Sequence, residues 1–540
     1  MDIFSVNTKP FLDQSFGTSG IRKKSEVFRQ ENYLENIIQS IFNSLDNFEG
    51  KTLVIGGDGR YGNNDAIQTI IKMAVANQFG HIIVGQNGLL STPASSHMIV
   101  SRQAFGGIIL SASHNPGGKN GDIGIKYDTE IGGAAQESLT NQFNQNTQQI
   151  DHYWMIHSDP IDLSRVGDYT IGSTLVEVVD SVSDYTDYMA EIFDFNAIRE
   201  LFKSGFKITF DAMNAVTGPY AKYIFETVLG AEPGSVIRGE PLPDFGGIHP
   251  EPNLTYAKDL VDLAYSENAP DLCAASDGDG DRYMILGKSF FVNPADSLAI
   301  LAENMEKIPF YKGRFYGVAR SMPTGGAVDL VCQKMNKDCY QTPTGWKFFG
   351  SLLENQKISL CGEESFGAGS FHLMEKDGLW AVLFWLNLIA ITRKSPEQLV
   401  RDMWKKYGRI YNKTFSYITS SAEKANHLMD VLASKLPSLK GQNIEGLTVS
   451  NAQFFNYTDP VSKTQYMHQA ILIDFDESDQ VMIRLSGTVS SGASMRVYLH
   501  HKDNNADLSV EDAIEPLSKA VQTLLNIQKY LGDDVEITTT

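Results

Sequence analysis

A serine beside a histidine on a polar turn is the feature of this sequence with the clearest chemical potential. The run Ser111-Ala-Ser-His-Asn-Pro-Gly-Gly118 follows the apolar segment Gly106–Leu110, which is bounded by glycines and predicts a buried strand. Turn-forming residues then place Ser113 at the carboxyl end of that strand, where ligands bind in open α/β sheets. Such a serine can act as a nucleophile or carry a phosphoryl group. An ordinary polar turn is the alternative that the motif alone leaves open.

Three carboxylates at alternate positions form a second chemical motif, Asp277-Gly-Asp-Gly-Asp-Arg282. On a tight glycine loop, alternate side chains can converge on one cation, and oxygen ligands suit a hard ion such as Mg²⁺. An EF-hand loop is excluded, because its sixth and twelfth positions require glycine and glutamate, and here they hold Arg282 and Lys288. A solvated acidic turn remains the alternative.

Two further motifs concern phosphate groups. Gly57-Asp-Gly-Arg-Tyr-Gly62 matches G-x-G-x-x-G, but the next strand, His81–Gln86, ends without the acidic residue that a dinucleotide site requires. We therefore expect no dinucleotide there. Arg484-Leu-Ser-Gly-Thr488, followed by Arg496, combines guanidinium groups, hydroxyls and backbone N–H groups that can cradle a phosphate.

The elements that position these motifs follow a repeated pattern of strand, turn, helix, strand and polar loop. The three repeats open at the apolar segments Thr52–Gly57, Lys207–Asp211 and Phe315–Ala319. Their closing strands are Ile108–Leu110, Leu272–Ser276 and Ile358–Cys361, and the loops after them carry Ser113, Asp277 and Gly362-Glu-Glu-Ser-Phe-Gly367. Strands that alternate with helices predict βαβ units in mixed or parallel sheets.

The tail of the chain has a different pattern. From about residue 406 it contains alternating strands, Val481–Leu485 and Ser494–Leu499, and a helix near Val510–Leu531. The sequence therefore predicts an α/β protein with three similar mixed-sheet α/β domains and a smaller α+β carboxyl-terminal domain. We expect their boundaries at 1–182, 183–301, 302–405 and 406–540.

Composition narrows the function classes. A chain of 540 residues is too long for one hydrophobic core, and its formal charge of −20 argues against nucleic acid or an anionic membrane as the main partner. The start, Met1-Asp-Ile-Phe-Ser, has no basic run before an apolar segment, and Leu379–Ala390 is shorter than the roughly 18 residues of a membrane span. The four cysteines form no C-x-x-C pair, which fits reduced thiols. We expect a cytoplasmic protein.

Together these segments resemble the α-D-phosphohexomutase superfamily almost from end to end. The matching motifs are Gly17-Thr-Ser-Gly-Ile-Arg-Lys-Lys24, the Ser113 loop, Gly121-Asp-Ile-Gly-Ile-Lys126, Asp277–Arg282, Ser321-Met-Pro-Thr324, Thr342-Pro-Thr-Gly-Trp-Lys347, Gly362-Glu-Glu-Ser365, Glu375-Lys-Asp-Gly378 and Arg484–Thr488. Members of that superfamily have four domains around a central cleft, which agrees with three repeats and a tail. Gly362-Glu-Glu-Ser365 looks like the glucose-specific form of the sugar loop, not the Gly-Glu-Met-Ser form of dual mannose/glucose enzymes.

The resemblance implies roles for individual residues. Ser113 would be a phosphoserine that exchanges its phosphoryl group with glucose 1-phosphate and glucose 6-phosphate through glucose 1,6-bisphosphate. The catalytic set would be Ser113, His114, Lys126, Arg22 and Arg282, in which His114 and Lys126 are candidates for proton transfer and the arginines stabilise phosphoryl charge. The Mg²⁺ ligands would be Ser113, Asp277, Asp279 and Asp281. The substrate contacts would be Thr344, Gly345, Glu363, Ser365, Lys376, Arg484, Ser486, Thr488 and Arg496.

These roles imply domains that carry in turn the phosphoserine, the metal, the sugar contacts and the phosphate contacts. The partner would be a small sugar phosphate, and the protein a monomer or weak dimer. Two alternatives stay open, a weakened relative with a binding or structural role and a mutase for another hexose phosphate.

Three residues depart from the family pattern: Val489 replaces a glycine, Met374 an arginine and Gly326 a serine. Because valine disfavours positive φ, we expect Val489 to raise KM, and Val489→Gly to lower it.

Overall fold

The computed structural model describes residues 2–17, 19–476, 478–486, 493–532 and 535–539. The chain divides into two compact units. The first comprises Met1–Pro294, Asn304–Tyr316 and Gly345–Glu397, and the second comprises Ala295–Glu303, Gly317–Thr344 and Gln398–Thr540. Among the described residues, every helix is too short or too polar to cross a lipid bilayer.

A seven-stranded mixed sheet carries the Ser113 loop in the first unit. In spatial order its strands are Ile21–Lys24, Asp122–Thr129, Gly106–Leu110, Thr52–Gly57, His81–Leu89, Thr174–Val179 and Gly167–Ile171. The helices of this region are Ser25–Phe28, Tyr33–Phe42, Asn63–Ala76, Thr92–Ser101 and Glu137–Thr147. The predicted strand Gly106–Leu110 is confirmed and fully buried, and it runs parallel to Thr52–Gly57. Its apolar side chains join a core with the helices, so Ser113 starts from a rigid support.

A five-stranded mixed sheet carries the aspartate loop in the same unit. Its strands, in spatial order, are Val236–Ile237, Ile208–Asp211, Leu272–Ser276, Tyr283–Gly287 and Phe290–Val292. Its helices are Ser181–Ile192, Phe195–Lys203, Thr217–Ala221, the π-helix Lys222–Val228, the 3₁₀ turn Phe245–Gly247 and Lys258–Ala264. The buried strand Leu272–Ser276 leads directly into Asp277, as the sequence predicts.

Smaller elements complete the first unit. Strand Ile3–Asn7 pairs antiparallel with His152–Ile156, and Leu360–Gly362 pairs antiparallel with Ala368–Ser370. The remaining helical elements are Met305–Lys307, Pro309–Tyr311, Lys347–Glu354 and Gly378–Thr392. The apolar stretch of the sequence lies in helix Gly378–Thr392, which is buried along nearly its whole length. The prediction of a buried helix there is confirmed.

The second unit contains a parallel strand pair and a larger antiparallel sheet. Gly317–Ser321 pairs with Asp338–Thr342 beside helix Ala327–Met335. The seven strands of the sheet are, in spatial order, Asn443–Ile444, Leu447–Thr458, Gln465–Phe475, Asp479–Ser486, Ala493–Asp503, Arg409–Thr419 and Glu536–Thr539. The helices are Pro294–Asn304 and Pro396–Tyr407, which lie mostly in this unit, and Ala422–Leu439, Val510–Leu525 and Ile527–Leu531.

The structure corrects three of the predicted elements. The strand expected to open at Phe315 begins at Gly317, and the one expected over 358–361 spans Leu360–Gly362. The single helix expected near Val510–Leu531 is two helices, because Asn526 adopts a left-handed conformation with φ of 43°. The four cysteines are free.

Candidate active site

Ser113 lies at the point where the amino-terminal sheet ends. Ser113 is 1% exposed, and its φ of 50° turns the backbone sharply after the buried strand. The Ser113 hydroxyl donates to Asp277 Oδ2 at 3.1 Å and lies 3.4 Å from Nδ1 of His114. The structure therefore brings the predicted nucleophile, its neighbouring histidine and the first aspartate together.

The aspartate loop is held against the Ser113 loop by close backbone packing. A Cβ atom at Gly278 would lie 2.4 Å from the carbonyl oxygen of Ser113, so only glycine fits there. Asp277 Oδ1 accepts hydrogen bonds from the backbone N–H groups of Asp281 and Arg282, both at 3.0 Å. These bonds curl the loop so that its three carboxylates face one point.

The three carboxylates have the geometry of a cation site. Asp277, Asp279 and Asp281 are buried, and each offers an oxygen within 4.8 Å of the others. The Oδ1 atoms of Asp279 and Asp281 are buried with no hydrogen-bond partner among the described residues. Burial, and then the charges of Asp281 and Asp279, raise the pKa of Asp277 well above its usual range. Unpartnered buried oxygens and mutual repulsion are what a hard cation relieves, so the donor set fits a metal ion.

Lys126 bridges two of these aspartates. Its Nζ lies 2.7 Å from Asp279 Oδ2 and 3.8 Å from Asp281 Oδ2, and it donates to the hydroxyl of Thr92 at 3.1 Å. Burial lowers the pKa of Lys126, but Asp279 and Asp281 more than offset this, and the net shift is upward. Lys126 is therefore an ammonium at neutral pH.

His114 has the opposite electrostatic character. Burial, followed by the charges of Arg282 and Arg22, holds the pKa of its imidazole well below the usual value. At neutral pH the ring is uncharged and can accept a proton. His114 and Lys126 thus form a pair whose environments separate a proton acceptor from a proton donor.

Three further predicted cations, Arg22, Arg282 and Lys376, lie around the same carboxylates. Lys376 Nζ lies 3.1 Å from Asp281 Oδ2. Arg282 donates to Glu251 at 3.3 Å, and its Nε lies 3.9 Å from Asp277 Oδ2. Arg22, Lys126, Asp281, Glu375 and Lys376 all line a cavity of about 60 Å³. Four predicted cations, Arg22, Lys126, Arg282 and Lys376, therefore lie among the buried carboxylates and offset their negative charge.

The predicted sugar contacts are placed less completely. Glu363 is 7% exposed and accepts from the backbone N–H of Gly345 at 3.3 Å. Ser365 is half-buried on the same loop. Thr344 ends a segment of the second unit, and its hydroxyl is buried without a partner among the described residues.

The predicted phosphate contacts lie in the second unit. Arg484 and Arg496 stand directly opposite each other on neighbouring strands, and Arg484 Nε donates to the Tyr498 hydroxyl at 3.3 Å. Guanidinium groups are the donor type that commonly binds phosphate. Ser486 ends its strand. Thr488 and Val489 lie outside the described residues.

Three further side chains at this site were not among the predicted site residues. Thr92 donates to Asp279 Oδ2 at 2.8 Å, and Glu375 is buried in the cavity, where burial raises its pKa to about 7. Arg60 contacts the carbonyl of Ser113 at 2.9 Å. Glu375 stands next to the predicted Lys376, which was a usable signal. Arg60 lies in the run Gly57–Gly62, whose G-x-G-x-x-G pattern raised only the possibility of a dinucleotide site.

Comparisons with known proteins cover almost the whole chain. Family models match residues 13–154, 183–289 and 293–407 as phosphoglucomutase/phosphomannomutase α/β/α domains I, II and III, and residues 409–535 as a phosphoglucomutase-1 C-terminal domain. The phosphoglucomutase of Rhizobium radiobacter is 48% identical over 534 residues, which are 98% of each chain. Phosphoglucomutase 1 of Drosophila melanogaster is 44% identical over 98% of this chain and 97% of its own.

A solved structure is similar to this fold over nearly the whole chain. The open form of pp63/parafusin, a phosphoglucomutase from Paramecium, superposes with a TM-score of 0.93 at 41% identity and covers 99% of both chains. The predicted fold class, three α/β domains and a distinct carboxyl-terminal domain, is confirmed.

Proposed function

Because the chain belongs to the phosphoglucomutase/phosphomannomutase family, we propose that it interconverts glucose 1-phosphate and glucose 6-phosphate, with Ser113 as phosphoryl carrier. One observation carries the role of Ser113 above the others. Its hydroxyl donates a hydrogen bond to Asp277, which belongs to a buried carboxylate triad that also forms an ion pair with Lys126. Neither a weakened binding relative nor a mutase for another sugar is favoured by relatives of this similarity.

The reaction consists of two phosphoryl transfers. In the first, the P–O bond to Ser113 Oγ breaks, and a new P–O bond forms to O6 of glucose 1-phosphate, which gives glucose 1,6-bisphosphate. After the bisphosphate turns over, the phosphoryl group on O1 returns to Ser113 Oγ and glucose 6-phosphate leaves. Phosphoryl transfer needs positioning and charge neutralisation more than covalent chemistry, which matches this set of residues.

His114 and Lys126 balance the protons. We assign the neutral imidazole of His114 as acceptor of the sugar O6 proton and the Lys126 ammonium as donor of a proton to the released Ser113 oxygen. This assignment rests on the opposite shifts of their pKa values. In the second transfer the same groups act in reverse, so both regain their starting states. Arg22 and Arg282 stabilise the charge on the moving phosphoryl group.

Asp277, Asp279, Asp281 and the Ser113 oxygen would hold a Mg²⁺ ion, which when bound polarises the phosphoryl group and neutralises part of its charge. The choice of Mg²⁺ rests on the all-oxygen donor set. The unpartnered Oδ1 atoms of Asp279 and Asp281 support it.

The substrate contacts follow from the remaining predicted residues. Glu363 and Ser365 would hydrogen-bond sugar hydroxyls, with Gly345 beside them. The phosphate that does not react would lie on Arg484 and Arg496, which stand opposite each other on neighbouring strands. Thr344, Lys376, Ser486 and Thr488 complete the proposed set.

We place the reaction in the cytoplasm, because the four cysteines are free thiols and thiols stay reduced in that compartment.

Turnover of several hexose phosphates tests the choice of substrate. Glucose 1-phosphate, mannose 1-phosphate and glucosamine 1-phosphate are assayed in parallel with the wild-type chain and Glu364→Met. We expect the wild type to favour glucose 1-phosphate, and the variant to raise the mannose-to-glucose ratio of kcat/KM. Equal turnover of mannose 1-phosphate by the wild type would refute the glucose assignment. Turnover of none of the three would favour a binding role.

A further inference from the structure

The backbone of Ser113 adopts a conformation that its surroundings must enforce. Its φ of 50° lies in the left-handed region, which a serine occupies only where neighbouring groups hold it. Two hydrogen bonds hold the residue on either side. The Ser113 N–H donates to the Ser111 hydroxyl at 2.8 Å, and the Ser113 carbonyl accepts from Nη2 of Arg60 at 2.9 Å.

Arg60 reaches three parts of the chain with one planar group. Its Nε donates to both oxygens of Asp58, at 3.0 and 2.9 Å, and its Nη2 lies 2.8 Å from Asp58 Oδ2. Its Nη1 donates to the carbonyl of Asp122 at 2.7 Å, in the strand that follows the Ser113 loop. The residue is 1% exposed, and its guanidinium carbon lies 5.2 Å from the centre of the Phe245 ring.

Ser111 ties the other side of Ser113 to the same ion pair. Its hydroxyl donates to Asp58 Oδ2 at 2.8 Å while it accepts from the Ser113 N–H. Both bonds to the Ser113 backbone therefore lead to Asp58 and Arg60. A lysine cannot replace this arrangement, because an ammonium lacks the fixed fork of donors.

The position of the Ser113 carbonyl also decides where the hydroxyl points. The carbonyl lies against Gly278, at which a Cβ atom would approach to 2.4 Å. Since Ser113 Oγ bonds Asp277, one residue earlier on the same loop, a shift of this carbonyl moves the hydroxyl relative to the carboxylates. Misplacement by about 1 Å can cost roughly 100-fold in rate.

We infer that Arg60 is a positioning residue for phosphoryl transfer, which holds the Ser113 loop so that Oγ faces the aspartate triad. This inference rests on the proposed function. Arg60 is fully buried behind the loop and has no place among the sugar contacts. Its loss should therefore lower kcat and leave KM for glucose 1-phosphate nearly unchanged.

Arg60→Lys tests this inference, with Arg238→Lys as a matched control. Arg238 forms a comparable two-point ion pair with the buried Asp211 and has no assigned role in the reaction. We expect Arg60→Lys to lower kcat about 10- to 100-fold, with KM within about twofold, whereas Arg238→Lys keeps both. Circular dichroism verifies that each variant is folded. Equal kcat for the two variants, or a rise in KM alone, would overturn the inference.

A second pair of variants covers the case in which Arg60→Lys does not fold. Ser111→Ala removes the hydroxyl that joins Ser113 to Asp58, and Ser111→Thr retains it. We expect Ser111→Ala to lower kcat about 10-fold at unchanged KM and Ser111→Thr to restore it. Wild-type activity in both variants would contradict the inference. An inactive wild-type chain would instead refute the proposed function, so the two failures are distinguishable.

Discussion

In each unit, a buried arginine pairs with an aspartate and holds the loop after a parallel strand. Arg60 binds Asp58 and the carbonyl of Ser113 in the first unit. Arg320 binds Asp329 through Nε at 2.7 Å and donates to the carbonyl of Thr324 at 2.8 Å in the second. The same device therefore shapes two loops of the fold.

The loops differ in what they present. The first places Ser113, whose backbone is in the left-handed conformation, against three buried carboxylates and a lysine. In the second, the Ser321 and Thr324 hydroxyls bond each other at 2.8 Å, and the Asp329 side chain is 41% exposed. The buried arginine is thus a structural device, and the chemistry comes from the groups that face the loop it holds.

The same substitution in the two regions should separate these roles most strongly. Asp279→Asn removes a charge from the carboxylate triad and from the Lys126 ion pair, and we expect kcat to fall at least about 100-fold. Asp329→Asn removes the charge facing Arg320. Because Asp329 is partly solvated, we expect a loss of only about 1 kcal/mol in the free energy of unfolding, with kcat nearly retained. Steady-state kinetics and urea unfolding measure both, and a larger loss of kcat in Asp329→Asn would reverse the comparison.

Thr92 should have a smaller effect on the first region. Its hydroxyl donates to Asp279 and accepts from Lys126, so it orients both groups. Thr92→Val keeps the shape and removes the hydroxyl, and we expect an about 10-fold loss of kcat/KM and weaker Mg²⁺ binding in a titration. Thr92→Ser retains the hydroxyl and should recover most of the loss. Equal values for the two variants would exclude an orienting role.

Part of this site follows from local sequence. Ser113 and the three aspartates lie on loops directly after apolar strands, so glycines and turn formers nearby suffice to predict them. Arg60 and Thr92 could not be predicted this way, because they act on groups 53 and 187 residues distant along the chain. Such contacts depend on how the sheets assemble.

The boundaries of helices and strands were also only partly predictable from local sequence. Strand and helix types follow from periodicity, but the break at Asn526 does not, because Ile527 and Leu531 continue the apolar pattern of the helix before it. The left-handed residue that ends the first helix leaves no signal in the spacing. Similarly, the strand expected at Phe315 begins two residues later, at Gly317.

In the second unit we expect a pH-dependent change in stability at His500. Burial lowers the pKa of His500 to about 4, against about 6.5 in the unfolded chain, while its ring lies 3.1 Å from the Pro323 carbonyl. Between these values the unfolded chain binds a proton that the folded protein does not. Stability is therefore lost as pH falls from about 6.5 to about 4, by at most about 3 kcal/mol.

His500→Gln removes this titration. The difference in unfolding free energy between wild type and variant, from urea denaturation at pH 7 and pH 5, should change in favour of the variant at the lower pH. A pH-independent difference would show that His500 does not titrate in this range.

A coupled assay of glucose 6-phosphate production tests the role of Ser113 most directly. It combines glucose 1-phosphate, Mg²⁺ and a trace of glucose 1,6-bisphosphate with the wild-type chain or Ser113→Ala. Intact-mass measurement follows the phosphoryl group on each protein. We expect wild-type turnover that requires Mg²⁺, one phosphoryl group on the wild type, and neither in Ser113→Ala. A Ser113→Ala variant that turns over glucose 1-phosphate like the wild type would contradict the account.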